Sequence, residues 1–428
     1  MTYDVAIIGG GPAGSTAGIK LATAGRRVLI LEREKFPRFH IGESLLPYTM
    51  EAFDRLGLRE KMEKRFMVKH GAEVASACGT REVRFHFKNA FRAKIPTAYQ
   101  VTRSEFDKVL LDHAAERGAE VREETAVEKI DFGKNDVALQ TVSADGTKET
   151  ISASYVIDAT GRNSLIGTHF GLKKPYDGLK KFSVFAHFDN VERPEGINGT
   201  LTRMVRTSKN WFWMIPLTDT RTSIGLVMNQ DDFKAAKKSP EQMLMDTIAT
   251  QPVMRARMEG ATRATQVYAT GDYSYRNMRL AGDRWILAGD AAGFIDPVFS
   301  SGVFLAILSA EKAASALDEV LSRPAKREKL FADYSRSVNK VMDVYLHFVL
   351  GWYTQPFIET FLNPTKRFQM VPAINAILAG QDGNSFAIKW RLWLFYIVVW
   401  LQKRFALSPR LTLEPEGYGQ HEPQIQTV

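Results

Sequence analysis

The sequence predicts an α/β fold: a Rossmann-type nucleotide-binding domain with an interleaved β-sheet layer and an α-helical C-terminal region. Three observations carry that reading. A strand, a glycine turn, a helix, a second strand and an acid follow one another between Asp4 and Glu32. Alternating strand-like runs fill much of the middle of the chain. From about residue 340 the pattern turns helical and rich in aromatic residues.

Length and composition agree with a large folded protein. The chain has 428 residues, 45% hydrophobic and 25% charged, which excludes a disordered or fibrous class. Cys78 is its one cysteine, so no internal disulfide forms and no oxidising compartment is required. Met1 to Ile8 lacks a basic region ahead of its apolar residues and reads as a first strand rather than a signal peptide. No window reaches the ~18 apolar residues of a membrane span. The expected setting is cytoplasmic. The net charge is +9, but the basic residues are dispersed and no aromatic-basic module appears. Nucleic acid is therefore not expected; a basic surface, or an acidic substrate or partner, is.

In order along the chain, Asp4 to Ile8 is the first strand and Gly9 to Gly14 the turn. A helix with Ala17, Leu21, Ala22 and Ala24 follows, ending at Gly25; Arg27 to Leu31 is the second strand, closed by Glu32. Glu105 to Arg117 has helical apolar spacing. Strand-like runs at roughly 120–160, 180–190 and 200–228 predict an inserted sheet layer. Trp285 to Ala288 is a further buried strand, and Val303 to Leu321 a helix closed by Pro324. Tyr345, Phe348, Trp352, Tyr353, Phe357 and Phe361 mark an aromatic helical region. Trp390 to Leu401 predicts a helix packed on the body, with a membrane-surface helix as the alternative. The tail from Glu414 is polar and expected to be disordered.

Gly9, Gly11 and Gly14 form a G-x-G-x-x-G turn. Such glycines allow a tight turn, close backbone approach to a pyrophosphate and close helix packing, while the helix start offers N–H groups to negative charge. Glu32 stands where a carboxylate meets a ribose hydroxyl. A second pair, Gly289-Asp290, again lies between a strand and a helix-like stretch. Alone it is a turn signal; beside the first motif its aspartate suits ribityl hydroxyls, which points to FAD rather than NAD.

These residues, with Phe39 to Pro47, Val101 to Asp107 and Asp158 to Ser164, resemble the FAD-dependent monooxygenase superfamily with the p-hydroxybenzoate-hydroxylase-like fold. The resemblance spans roughly residues 1–330 and is strongest to the flavin-dependent halogenases acting on carrier-bound pyrroles or phenolic rings. It implies a FAD-binding domain at 1–340, with a substrate-side sheet layer near 70–100 and 175–275. Residues 341–428 are then a helical region with a polar tail. It gives Ser44 and Arg103 to the FAD site.

Trp211-Phe-Trp213-Met-Ile215-Pro216 matches the halogenase W-x-W-x-I-P block. Read alone it is a strand of core aromatics; in the family it walls the flavin off from the substrate, so Trp211, Trp213 and Pro216 are structural. Lys69 reads alone as a solvated surface lysine, and by resemblance as the catalytic lysine that polarises hypohalous acid or carries its halogen. His70 is read as packing. Ser301 and Gly302 open a helix: capping by serine explains them as well as an anion site, and the resemblance implies that they hold chloride or bromide. No metal site is expected.

Two departures narrow the reading. Phe299 stands where tryptophan halogenases carry a glutamate, which argues against free tryptophan as substrate. Asp158-Ala-Thr-Gly161 stands where hydroxylases carry an Asp-Gly motif tied to NAD(P)H, which implies that a separate flavin reductase supplies reduced FAD. The basic surface suits an acidic carrier protein presenting the ring. The expected activity is two-component halogenation of an electron-rich ring. The alternatives are a geranylgeranyl-reductase-like flavoprotein, an aromatic hydroxylase and a non-catalytic flavin scaffold.

Overall fold

The computed structural model describes residues 2–271, 274–364, 367–381, 383, 385–411, 413 and 424–428. Its first sheet is built around Tyr3–Ile8, which lies between Val28–Leu31 and Lys148–Asp158, parallel to both. A strand flanked on both sides and covered on both faces can carry an unbroken apolar run, as Val5 to Ile8 do. Glu120–Arg122 and Trp285–Leu287 extend the parallel sheet at its two sides. Ile8 is in register with Leu31 and Asp158, so Gly9, Glu32 and Asp158 emerge together at one edge. Helices Pro12–Thr23, Arg103–Glu116 and Ser301–Ser322 cover this sheet.

The second sheet has nine strands among the described residues, with Lys181–Asp189, Arg221–Asn229, Trp211–Pro216, Thr202–Arg206, Gly71–Ser76 and Arg81–His86 at its centre. Period-two alternation sorts Trp211, Trp213 and Ile215 onto one face, in the main core, and Phe212 and Met214 onto the other. Helix Pro240–Thr250 covers that outer face through Met243, Leu244 and Ile248.

Three expectations need correction. The run at 120–160 does not join the second layer: Thr125–Phe132, Val137–Ser143 and Lys148–Asp158 form antiparallel hairpins that extend the first sheet. The boundary placed at 340–341 falls inside one helix, Arg327–Trp352, whose buried residues run from Phe331 to Trp352 without a break in the core. In the tail expected to be disordered, residues 414–423 lie outside the described residues, but Gln424–Thr427 pairs with Arg81–His86 as an edge strand. Extended residues with free backbone groups complete a sheet edge whatever their side chains.

The rest of the C-terminal region consists of helices Gln355–Phe361, Met370–Leu378 and Phe386–Phe405. The last packs Ile388, Leu392 and Phe395 inward, as expected for a helix on the body. Among the described residues no helix is long and apolar enough to cross a membrane.

Candidate active site

A cavity of about 680 Å³ lies between the edge of the first sheet and the inner face of the second. Gly9, Gly11, Glu32, Arg103 and Asp290 line it from one side, Trp211, Trp213 and Ile215 from the other. Two helix starts open into it, at Pro12–Ala13 and at Gly302–Val303. Their free N–H groups favour negative charge there.

The three glycines of the first turn are required for different reasons. Gly9 has φ +104°, and a Cβ on it would sit 2.4 Å from the Ala159 carbonyl oxygen. A Cβ on Gly14 would lie 1.8 Å from the Gly9 carbonyl oxygen. Both are fixed by the fold itself. A Cβ on Gly11 would meet nothing closer than the Arg38 guanidinium at 3.6 Å. Since Gly11 faces the cavity, its missing side chain serves something that enters.

Glu32 is braced by its own loop: its carboxylate accepts N–H groups from Gly10 at 2.7 Å and Glu34 at 2.9 Å. Arg103 is gripped by Asp107 through two 2.8 Å bonds and donates to the Ile41 carbonyl at 2.7 Å. Arg38 adds a further bond to Asp107, at 3.1 Å. Asp107 and Arg38 were not singled out from sequence; the i, i+4 spacing of Arg103 and Asp107 on one helix was the signal available. Enclosure raises the Asp290 carboxyl to about 6, against the pull of Arg162 and Arg103. Gly289 lies behind it at φ +64°, donating its N–H to Ser309 Oγ at 2.8 Å. Glycine freedom, helix N–H groups, arginine and carboxylates suit a ligand with phosphates at one end and hydroxyls along it.

Lys69 is 1% exposed, against the solvated-surface expectation. It ends the short strand Met67–Lys69, in which Val68 is turned to solvent and the lysine inward. Its Nζ donates to Ser44 Oγ at 2.8 Å and to the Leu45 carbonyl at 3.0 Å, and lies 5.2 Å from the Phe87 ring centre. No carboxylate pairs with it among the described residues, and burial lowers its pKa to about 7. Lys69 does not line the cavity; Ser44 and Thr202 do, and their hydroxyls share a 2.7 Å hydrogen bond. Ser44 thus stands between the cavity and the lysine. His70 bonds Thr200 Oγ1 at 2.9 Å, a packing role.

At the other helix start, Ser300 has φ +55° and makes no capping bond, so the serine-capping reading fails. Asp296 organises the turn instead, accepting from the Val298 N–H at 3.1 Å and the Tyr353 hydroxyl at 2.6 Å. Trp211 Nε1 donates to that same hydroxyl at 3.0 Å. Tyr353 therefore ties the tryptophan strand to the turn before Ser301 and Gly302. Gly302 lines the cavity, whereas Ser301 is buried beside it. Pro216 is buried at the end of its strand and does not line the cavity. Trp213 lies over Gly225, where a Cβ would come within 2.1 Å of the ring. Tyr353 and Gly225 were not anticipated; both depend on contacts distant in sequence.

Residues 2–348 match the family described as FAD binding domain. The chain is 30% identical over 391 residues to the 1H-pyrrole-2-carbonyl-(peptidyl-carrier protein) chlorinase of Pseudomonas fluorescens, covering 86% of this chain and 87% of that protein. It is 33% identical over 386 residues to the flavin-dependent halogenase armH3 of Armillaria mellea, covering 83% and 75%. The chain belongs to the flavin-dependent halogenases. The solved structure of the flavin-dependent brominase Bmp2 resembles this halogenase with a TM-score of 0.85 at 27% identity, covering 94% of this chain and 100% of that one. These likenesses do not favour the isoprenoid-reductase or hydroxylase readings, and they set aside a non-catalytic scaffold. The halogenase uses FAD and halide, and the cavity has the donors and the room for the cofactor.

Proposed function

We propose that Lys69 is the catalytic lysine and that this enzyme halogenates an electron-rich ring, pyrrole or phenol, presented on a carrier protein. The observation that carries this reading is the buried, carboxylate-free Lys69 amine, one hydroxyl removed from the cavity. Reduced FAD, bound in the cavity and supplied by a separate flavin reductase, provides the electrons with which oxygen and halide yield hypohalous acid. Gly11 and the helix start at Pro12 take the pyrophosphate, Glu32 the ribose, and Arg103 and Asp290 the remainder of the cofactor. Ser301 and Gly302 hold the halide at the second helix start. Trp211 and Trp213, which line the cavity, keep the flavin side apart from the ring, and Pro216 ends their strand behind them.

Lys69 gives two hydrogen bonds, to Ser44 and Leu45. A neutral amine has two N–H groups, so its lone pair stays free for an electrophile. Attack on hypohalous acid forms N–halogen and releases water. The ring then takes the halogen, loses its proton and returns the amine. Phe299 packs against Phe348 and Trp352, at 5.8 and 5.7 Å between ring centres, and supplies no second carboxylate. The carrier-bound substrate named for the Pseudomonas chlorinase supports a carrier partner, as does the net charge of +9.

The test supplies purified protein with FAD, a flavin reductase, NADH, oxygen, chloride and bromide. Phenols, indoles, free tryptophan and carrier-bound pyrroles serve as substrates, and mass spectrometry reads halogen isotope patterns. The expected result is a halogenated phenol or carrier-bound pyrrole that disappears in Lys69→Ala. Product surviving that substitution would mean freely released hypohalous acid and would remove Lys69 from the mechanism.

A further inference from the structure

We propose that helix Phe386–Phe405 docks this enzyme on an anionic lipid surface. The helix is apolar on two opposite sides, and only one is used for packing. Ile388, Leu392 and Phe395 are buried against the body. Phe386, Trp393, Trp400 and Phe405 are 82%, 67%, 56% and 66% exposed, and Leu407 just beyond is 56% exposed. Residues 386, 393 and 400 are two helical turns apart, so they stand in one line along the outer side. The helix is about 30 Å long at 1.5 Å per residue. An aromatic ridge therefore runs along most of its length.

Charge identifies the occupant. Phe386 to Phe405 contains no Asp or Glu. Lys389, Lys403 and Arg404 are exposed and pair with no carboxylate among the described residues. Tryptophan and phenylalanine between basic residues suit the boundary of headgroup and acyl chain: the rings enter the apolar layer and the cations meet phosphates. A second copy fits poorly. Side by side, two such helices bring basic ends together in either direction with no acid between them. An acidic protein would satisfy the lysines, but a convex ridge on one helix gives it no groove in which to seat the tryptophans. A fluid headgroup layer shapes itself around a ridge. No described helix can cross the bilayer, so the contact is one of lying along it.

The test floats the whole protein with vesicles of phosphatidylcholine alone, or of phosphatidylcholine and phosphatidylglycerol in equal parts. Wild type is expected to rise with the anionic vesicles at low salt and to be released as salt increases. The double substitution Trp393→Ser with Trp400→Ser is expected to weaken binding by about tenfold or more. Lys403→Gln with Arg404→Gln should weaken it less. Unchanged melting temperatures show that these exposed substitutions leave the fold intact. Wild type that stays in solution with both vesicles overturns the proposal, as does a tryptophan variant that floats equally well. A wild-type dimer that the tryptophan variant dissociates would give the ridge to a second copy. Capture of an acidic carrier protein that the variant abolishes would give it to a protein partner.

Discussion

The cavity lining and the buried pocket behind Ser44 handle charge in opposite ways. At the nucleotide end Arg103 is held by Asp107 through two bonds, with Arg38 beside them, and Glu32 is held by two backbone N–H groups. Behind Ser44, outside the lining, Lys69 has a hydroxyl and a carbonyl for company and no opposite charge among the described residues. A buried ion gripped by a counter-ion or by backbone N–H groups is held in place, which suits holding a ligand. A buried amine without one is pushed toward neutrality, which suits reaction. Where carboxylates are placed thus distinguishes the paired groups of the lining from the unpaired amine behind it.

Removing the unpaired amine should do most. Lys69→Met is expected to lower halogenation by about a hundredfold or more while FAD remains bound, checked by product formation and flavin absorbance. The same substitution should raise the melting temperature at neutral pH, because it removes a charge buried without a partner. Below about 7 the buried ammonium burdens the fold in full. That burden lifts as pH rises from about 7 toward the ordinary lysine value, so wild type gains on Lys69→Met across that interval. For catalysis, a Lys69-dependent step should rise with pH through about 7 and then level off. A rate that falls through that point would assign the reaction to the ammonium.

At the nucleotide end the glycines should separate. Gly14→Ala, whose Cβ would overlap the Gly9 carbonyl, is expected to unfold the turn and abolish FAD binding, with a large fall in melting temperature. Gly11→Ala should leave the melting temperature of the FAD-free protein unchanged and weaken FAD binding alone. Equal destabilisation by both would refute the distinction. Asp107→Asn should weaken FAD binding by roughly tenfold, since Arg103 keeps its backbone bond but loses its charge partner. Smallest of all, Tyr353→Phe keeps the ring and drops the bonds to Asp296 and Trp211. It should raise the KM for halide roughly three- to tenfold with little change in kcat. An unchanged KM would mean that the tie does not govern halide binding at the turn before Ser301 and Gly302.

The first sheet and its turn could be read from sequence because their geometry demands glycine at Gly9 and Gly14, and residue type records that demand. The placement of Lys69 could not. Its burial beside Val68 reverses the usual inside–outside order of a strand, and it follows from Ser44 and Thr202, distant along the chain. The sheet that the hairpins at 120–160 join is not legible in sequence, because alternation shows that a strand has two faces, not which neighbour it pairs with. In sequence Tyr353 is one aromatic among several, since no local pattern marks a hydroxyl that reaches Asp296.

Helix Arg327–Trp352 begins over the first sheet, where the Tyr334 hydroxyl meets the Leu287 carbonyl, and ends beside Tyr353 at the turn before Ser301 and Gly302. Ancestry is constrained by such a brace. A C-terminal region joined through a loop can be traded between relatives as a cassette, each swap leaving the rest intact. Here an exchange point between Arg327 and Trp352 cuts a continuous helix, and Tyr353 at its end is tied to Asp296 in the turn before Ser301 and Gly302. Diversification of this stretch should therefore proceed by changing residues in place, with the chain through Tyr353 inherited together with the cofactor domain rather than shuffled against it.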